Sequence, residues 1–301
     1  MNILMSGGTG FIGRALVDHF EKQGHTLYIL TRGQSRVEGL REYIHWLSED
    51  GDEIDYLSHR KIDVVINLAG EPIGRGRWTP EKKERILHSR IESTKRIIEI
   101  VKHLKEKPVV FIQGSAIGYY GYSENDRFTD RSLSLLNSFP SEVCDIWENT
   151  LHYLNHPDIR KVIARIGTVL HSKEGFLAKA LLPYRFWAGG KIATGNQFVS
   201  WIHLEDVVRI IDYLIYEKSM HGPVNLTAPH PVTMDELGHT LASIMRRPYW
   251  FPFSEWMIRR TFGEKSVLVT KGSCVLPSKL LHSSFSFQYP TIRKALSNLM
   301  Q

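Results

Sequence analysis

The sequence predicts an α/β protein: a doubly wound parallel sheet with helices on both faces, carrying a smaller C-terminal lobe. Three observations carry that expectation. Short apolar runs alternate with amphipathic stretches through the first 170 residues, and such alternation requires crossover helices between parallel strands, wound right-handedly onto both faces. The first apolar run leads at once through a glycine-rich turn into a helical pattern, "NILMSGGTGFIGRALVDHF". After Leu170 the rhythm breaks, and "HSKEGFLAKALLPYRFWAGGKIATGNQ" turns rich in glycine and aromatics.

Taken in order, "NILMSG" is the first strand, "FIGRALVDHFEKQG" the first helix and "TLYILTR" the second strand. The strand "VVINLAG" follows, then a long helix over 80–106 opened by Thr79 as cap and Pro80 at the first helical position. "VVFIQGS" reads as a strand, "SEVCDIWENTLHYL" as a helix and "VIARIGTVL" as a strand. Residues 198–222, "FVSWIHLEDVVRIIDYLIYEKSM" among them, read as a strand end and helix returning to the sheet domain. Trp201 and His203 are expected to fix that crossover, and Asp206 to support the start of that helix. Residues 223–301 hold the short strand "PVNLTA", a helix opened by the capping box Thr233–Glu236, the stretch "PYWFPFSEW" and a helix after Pro290. The expected division is therefore a sheet domain of 1–170 with 198–222, and a lobe of 171–197 with 223–301.

At 301 residues and 42% hydrophobic content the chain can bury a substantial core. Its formal charge of +6 comes from basic residues scattered among acids, a pattern of solvated faces that predicts no nucleic-acid partner. No run of eighteen apolar residues occurs, so no membrane span is expected, and the opening segment is too short for a signal peptide. A soluble cytoplasmic protein is the expectation. The two cysteines, Cys144 and Cys274, lack the spacing of a disulfide framework or zinc knuckle. His152 and His156 have helical spacing but no third ligand, so no metal is expected.

The turn "SGGTGFIG" has the spacing Gly7-x-x-Gly10-x-x-Gly13 between a strand and a helix. Glycines there allow a tight turn and close approach of backbone to a pyrophosphate, while the helix N-terminus supplies amide donors. A second strand ends about twenty residues on, as a Rossmann-type dinucleotide site requires. Where an NAD-binding chain offers Asp or Glu to the ribose hydroxyls, this one reads Thr31-Arg32-Gly33. A guanidinium there pairs with a 2′-phosphate, which predicts NADP(H) in preference to NAD(H). The other reading, in which Arg32 stacks on adenine or faces water, stays open.

With that spacing, "VVINLAG" and a serine after the next strand followed by "YYG", the sequence resembles the extended branch of the short-chain dehydrogenases/reductases, the epimerase/dehydratase group. The motifs "NLAGEPI", "SRIEST", "GSAIGYYG", "ARIGTVL", "LLPYRFWAGG", "WIHLEDV" and "VLPSKLL" with "YPTIRKAL" are similar to those of a subfamily with a distinctive C-terminal segment. Some of its members carry a cell-division-inhibitor label. The resemblance implies that the dinucleotide phosphates lie at Gly7, Thr9, Gly10, Phe11, Ile12 and Gly13, and the adenosine end at Thr31 and Arg32. It further implies Leu68, Ala69 and Gly70 against the middle of the cofactor, Arg90 adding charge to the phosphates, and Gly167 and Thr168 beside the nicotinamide.

Active members of that superfamily resemble one another in a Ser/Thr, Tyr, Lys set whose last two members are spaced Tyr-x-x-x-Lys on a helix. The lysine lowers the pKa of the phenol that moves the proton. No such spacing occurs here; where it belongs the chain reads "PSEVCDIWE". Ser115 is the candidate hydroxyl, although anchoring on Tyr120-Gly121 places Ala116 at the serine position instead. Tyr119 or Tyr120 is a local proton donor or a packing residue, and Cys144 an acid, a nucleophile or a buried structural thiol. Glu71 either replaces the tyrosine or ties a loop down through Arg75 or Arg77. The aromatics Tyr184, Phe186, Trp187, Trp250, Phe251 and Phe253 suit a planar or sugar-like ligand or a core. Two functions follow: an NADP(H)-dependent oxidoreductase or epimerase on an unidentified small polar or nucleotide-linked substrate, or a catalytically silent NADP-binding sensor or regulator linked to cell division. The face of the long helix pairs with a second subunit, as a homodimer, or stays solvated.

Overall fold

The computed structural model describes residues 1–47 and 50–300. Its centre is a sheet containing β1 (Asn2–Ser6), β2 (Thr26–Thr31), β3 (Arg36–Glu38), β4 (Arg41–His45), β5 (Val64–Asn67) and β6 (Val110–Ala116), with the later strands Arg160–Ile166 and Gly222–Leu226. From one edge the order is Gly222–Leu226, Arg160–Ile166, β6, β5, β1, β2, β4, β3. Among the described residues of this sheet, only the β3–β4 pairing is antiparallel. The Rossmann-type fold expected from the alternating pattern is present.

Both faces are covered because successive side chains point to opposite sides of a strand. Ile3 and Met5 of β1, Val64 and Ile66 of β5, and Val110 and Ile112 of β6 enter one core with Leu16 and Phe20 of α1 (Phe11–Lys22). Leu4, Val65 and Phe111 enter the other, against Ile97 and Val101 of α3 (Pro80–His103), which follows the short α2 (Asp52–Ser58). Thr79 Oγ1 accepts from the Lys82 amide at 3.2 Å, as its capping position predicts. The helix ends at His103 rather than 106: Leu104 turns extended and buries its side chain, and the residue before Pro108 disfavours helix. The next helix, α4 (Phe139–Thr150), starts at a reciprocal cap between Ser138 and Ser141.

Two boundaries differ from expectation. "VIARIGTVL" divides at Gly167: Arg160–Ile166 stays in the main sheet, whereas Thr168–Leu170 pairs with Trp201–His203. A Cβ on Gly167 would lie 2.6 Å from the Ser200 carbonyl oxygen, so only glycine lets the two segments meet. The lobe also begins later than residue 223, because Gly222–Leu226 pairs with Arg160–Ile166 and closes the main sheet. The lobe has its own core of Leu177, Trp201, Leu237, Leu241 and Leu296. At the crossover His203 Nδ1 accepts from the Glu205 amide and caps the helix that follows, while Asp206 in its first turn accepts from the amides of Gln288 and Tyr289 and so ties the helix start to the C-terminal segment. Among the described residues no helix is long and apolar enough to cross a membrane.

Candidate functional site

The glycine-rich turn is shaped by what cannot be there. Gly7 has φ +70°, and a Cβ on it would lie 2.7 Å from the Leu68 carbonyl group. A Cβ on Gly13 would lie 2.1 Å from Gly7 O, so the turn and α1 touch backbone to backbone. Gly10 donates to Gly7 O at 2.9 Å and caps α1 without a side chain, leaving the first-turn amides for an anion. Thr9 and Phe11 flank the turn; Phe11 lies against Gly175 of the lobe, and Ile12 packs onto the core. These are the features a pyrophosphate cradle needs.

The remaining cleft residues gather along the C-terminal edge of the same strands. Thr31 is buried and accepts from the Gly33 amide, while exposed Arg32 makes no hydrogen bond or ion pair among the described residues. Leu68, Ala69 and Gly70 leave β5 beside Gly7, with the Ala69 amide directed to Ser6 Oγ and Asn67 Oδ1. A Cβ on Gly70 would come within 3.0 Å of the Arg90 guanidinium. Arg90 donates to the carbonyls of Glu71 and Ile86 and makes no ion pair among the described residues; burial lowers its pKa, against the pull of the Glu71 charge. Such a cation is placed to gain from an arriving anion. Gly167 and Thr168 sit at the junction of the lobes, their amides bonded to Leu226 O and Ser200 O. Glu71 ties its loop through Lys82, not through Arg75 or Arg77.

At the end of β6 the structure assembles a buried charge network. Ser115 Oγ donates to Glu148 Oε1 at 2.6 Å. The Glu148 carboxylate takes both Arg165 Nε at 2.9 Å and Nη2 at 2.7 Å, with the two side chains 8% and 3% exposed. Arg165 Nη1 donates to the Tyr120 hydroxyl at 2.9 Å, and the Tyr119 ring lies 3.5 Å from the guanidinium carbon. Tyr120 is fully buried, its hydroxyl 2.7 Å from Asn225 Oδ1, and burial pushes the phenol up to about 12. Glu148 and Arg165 were not singled out from the sequence. The signal for Glu148 was nonetheless there: Cys144-x-x-x-Glu148 repeats the spacing of the absent Tyr-x-x-x-Lys, on one face of α4.

That substitution inverts the local electrostatics. A lysine at the helix position would favour an anion beside it, whereas Glu148 opposes one. Cys144 is buried, and burial together with Glu148 raises its thiol to about 11, so it keeps its proton at neutral pH. A thiolate nucleophile at Cys144 therefore does not fit. Tyr119 is drawn to Arg165 and lines a groove of about 840 Å³ with Asp130 and Lys279 beside the edge strand, so the geometry does not favour it as a proton donor at Cys144.

Beside Cys144 is a separate cavity of about 490 Å³, lined by Trp78, Tyr122, Phe139, Pro140, Val267 and Lys271 among others. Pro140 connects it to the network: a Cβ on Gly118 would lie 3.2 Å from Pro140 Cβ and 3.8 Å from Cys144 Sγ. Lys265 Nζ donates to the carbonyls of Gly74 and Gly76, strapping the C-terminal segment to the loop after β5. The aromatic wall expected from the lobe lies elsewhere. Tyr184 is in the lobe core, hydrogen-bonded to Gly238 O, and Phe186, Trp187 and Trp250 are exposed.

The geometry agrees with comparison to known proteins. Residues 3–142 match the NAD dependent epimerase/dehydratase family, and residues 254–299 match a domain of unknown function. The chain is 42% identical to the epimerase family protein YfhF of Bacillus subtilis, covering 100% of this chain and 98% of the relative. It is 34% identical to the chloroplastic epimerase family protein SDR39U1 homolog of Arabidopsis thaliana, covering 100% and 87%. The solved structure of human epimerase family protein SDR39U1 (isoform2) with NADPH superposes with a TM-score of 0.89 at 27% identity, covering 99% of both chains. With its glycine cradle, its doubly wound sheet and full-length relatives on both counts, this chain belongs to the epimerase family.

Proposed function

We propose that this chain binds NADP(H), in preference to NAD(H), in the cleft over the glycine turn, and acts as an oxidoreductase or epimerase on a small polar or nucleotide-linked substrate held beside Cys144. The observation that carries the cofactor choice is Arg32: an exposed guanidinium, within electrostatic reach of Glu71 but in no hydrogen bond or ion pair among the described residues, where an NAD site keeps a carboxylate. The SDR39U1 neighbour with NADPH supports it. Gly7, Gly10 and Gly13 admit the pyrophosphate, the α1 amides and Arg90 offset its charge, and Thr31 with Arg32 receives the 2′-phosphate. When bound, the dinucleotide supplies or accepts a hydride. Ser115 offers its hydroxyl at the end of β6, oriented by Glu148. Both cysteines are free and buried, which suits a reducing compartment such as the cytoplasm.

A specific observation favours a second reading, a catalytically silent NADP sensor: the helix segment where the resemblance puts Tyr-x-x-x-Lys carries Cys144-x-x-x-Glu148 instead. Calorimetry with NADPH and NADH on the purified protein and on Arg32→Ala tests the shared premise. The wild type is expected to prefer NADPH, and the variant to lose that preference by roughly tenfold to a hundredfold, as the loss of a charge-assisted phosphate contact implies. Binding of neither dinucleotide overturns both readings. Binding without NADPH consumption across a panel of nucleotide sugars and small carbonyl compounds selects the sensor.

A further inference from the structure

Three tyrosines follow β6, and two are already engaged. Tyr119 stacks on Arg165, and Tyr120 is buried with its hydroxyl bonded on both sides. Tyr122 differs. Its amide donates to Asn137 Oδ1 and its carbonyl accepts from Asn137 Nδ2, both at 3.0 Å. On either side Ser273 Oγ donates to Gly121 O at 2.7 Å and accepts from the Ser123 amide at 3.1 Å. Ser273 is itself held through its carbonyl by Ser200 Oγ at 2.8 Å. Gly121 has φ +77°, and a Cβ there would lie 2.2 Å from Asn137 Oδ1, so this clamp requires the glycine.

The side chain it positions is left unpaired. The Tyr122 ring is half-buried in the wall of the 490 Å³ cavity, and among the described residues its hydroxyl has no hydrogen-bond partner. A locked backbone carrying an uncommitted polar tip into a cavity is how a ligand contact is pre-organised. Pro140 lines the same cavity and touches Gly118 next to the Cys144 sulfur. Tyr122 thus approaches the position vacated by the helix tyrosine, from the loop side.

We propose that Tyr122 gives a hydrogen bond, and in the reaction its proton, to a carbonyl oxygen of the substrate, replacing the tyrosine that α4 lacks. This rests on the oxidoreductase reading above. The carbonyl carbon accepts a hydride from a reduced nicotinamide dinucleotide, and the C=O π pair moves onto oxygen. That oxygen forms its O–H bond as the Tyr122 O–H bond breaks, and the phenolate recovers a proton from water. Burial first, and then Cys144, raises the phenol's pKa, which keeps its O–H in place as a hydrogen-bond donor until hydride arrival makes the substrate oxygen basic enough to take the proton. The C-terminal segment of unassigned role thereby acquires one: through Ser273 it sets the position of Tyr122.

The test uses the full chain labelled with 3-fluorotyrosine and followed by fluorine NMR, with the Tyr122 line assigned from Tyr122→Phe. Isobutyramide, an unreactive carbonyl analogue, is added to the protein saturated with NADPH. It is expected to move the Tyr122 line and leave those of Tyr119 and Tyr120 in place, and Ser273→Ala is expected to diminish the shift. Tyr122→Phe, which keeps the ring, is expected to weaken isobutyramide roughly fivefold to tenfold while NADPH binding persists, as loss of one hydrogen bond implies. If the dinucleotide binds but the Tyr122 line stays still, or the Tyr119 line moves instead, the proposal is overturned and the cofactor reading stands. Absence of dinucleotide binding removes the cofactor reading itself.

Discussion

The dinucleotide cleft and the cavity walled by Tyr122 are built by opposite means. The cleft turn is backbone: Gly7, Gly10 and Gly13 lie within seven residues, and its shape comes from side chains that are absent. The cavity is side chains brought from four places, with Trp78 after β5, Tyr122 after β6, Phe139 and Pro140 opening α4, and Val267 with Lys271 near the C-terminus. The network at the end of β6 is likewise made of side chains, with the buried Glu148–Arg165 ion pair at its centre. A backbone site tolerates no added atom, whereas a side-chain site depends on pairs that must be kept together.

The largest effect should come from splitting such a pair. Glu148→Gln leaves the Arg165 charge buried without its counter-charge, and urea denaturation is expected to show a loss of about 3–5 kcal/mol. Replacing both together, Glu148→Leu with Arg165→Met, should restore most of that stability. A double variant as unstable as the single one would mean that the network is held by shape and not by charge. Next comes the cleft: Gly13→Ala places a methyl against Gly7 O and should cost about 2–3 kcal/mol, together with dinucleotide affinity measured by calorimetry. Unchanged affinity would break the contrast, because the backbone contact would then not shape the site.

The smallest expected effect is the pH response of Cys144. Its folded-state pKa of about 11 exceeds the ordinary 9, so the folded state favours the protonated thiol. The associated stability is fully present below pH 9 and is lost as pH rises through about 11, amounting to about 1 kcal/mol by roughly pH 10. Denaturation midpoints of the wild type and of Cys144→Ser, which does not titrate there, should therefore converge as pH rises. A constant difference between the two would place the thiol in a more polar setting than its burial implies.

The same contrast explains what could be read without coordinates. The glycine turn, the Thr79–Pro80 helix start and the Arg32 position were all visible, since each depends on neighbours a few residues away. Gly222–Leu226 was legible as a strand but not as a member of the main sheet, because an apolar alternation does not name its partner. The lobe aromatics showed the complementary failure: Tyr184, Phe186, Trp187 and Trp250 have the chemistry of a ligand wall, yet one packs in a core and the others face solvent. Composition described them, and topology placed them elsewhere.

By itself the sequence determined the doubly wound sheet, the pyrophosphate turn and the absence of the tyrosine–lysine dyad, because backbone dihedrals, helix caps and residue spacing act over one or two turns of chain. Only the tertiary structure decided that Glu148 would find Arg165, that Ser273 would clamp the loop carrying Tyr122, and that the C-terminal segment would wall the cavity. The Ser273 clamp joins residues up to 152 positions apart. They exist because several strand ends and loops converge at one edge of a sheet, and no local pattern encodes which of them will meet.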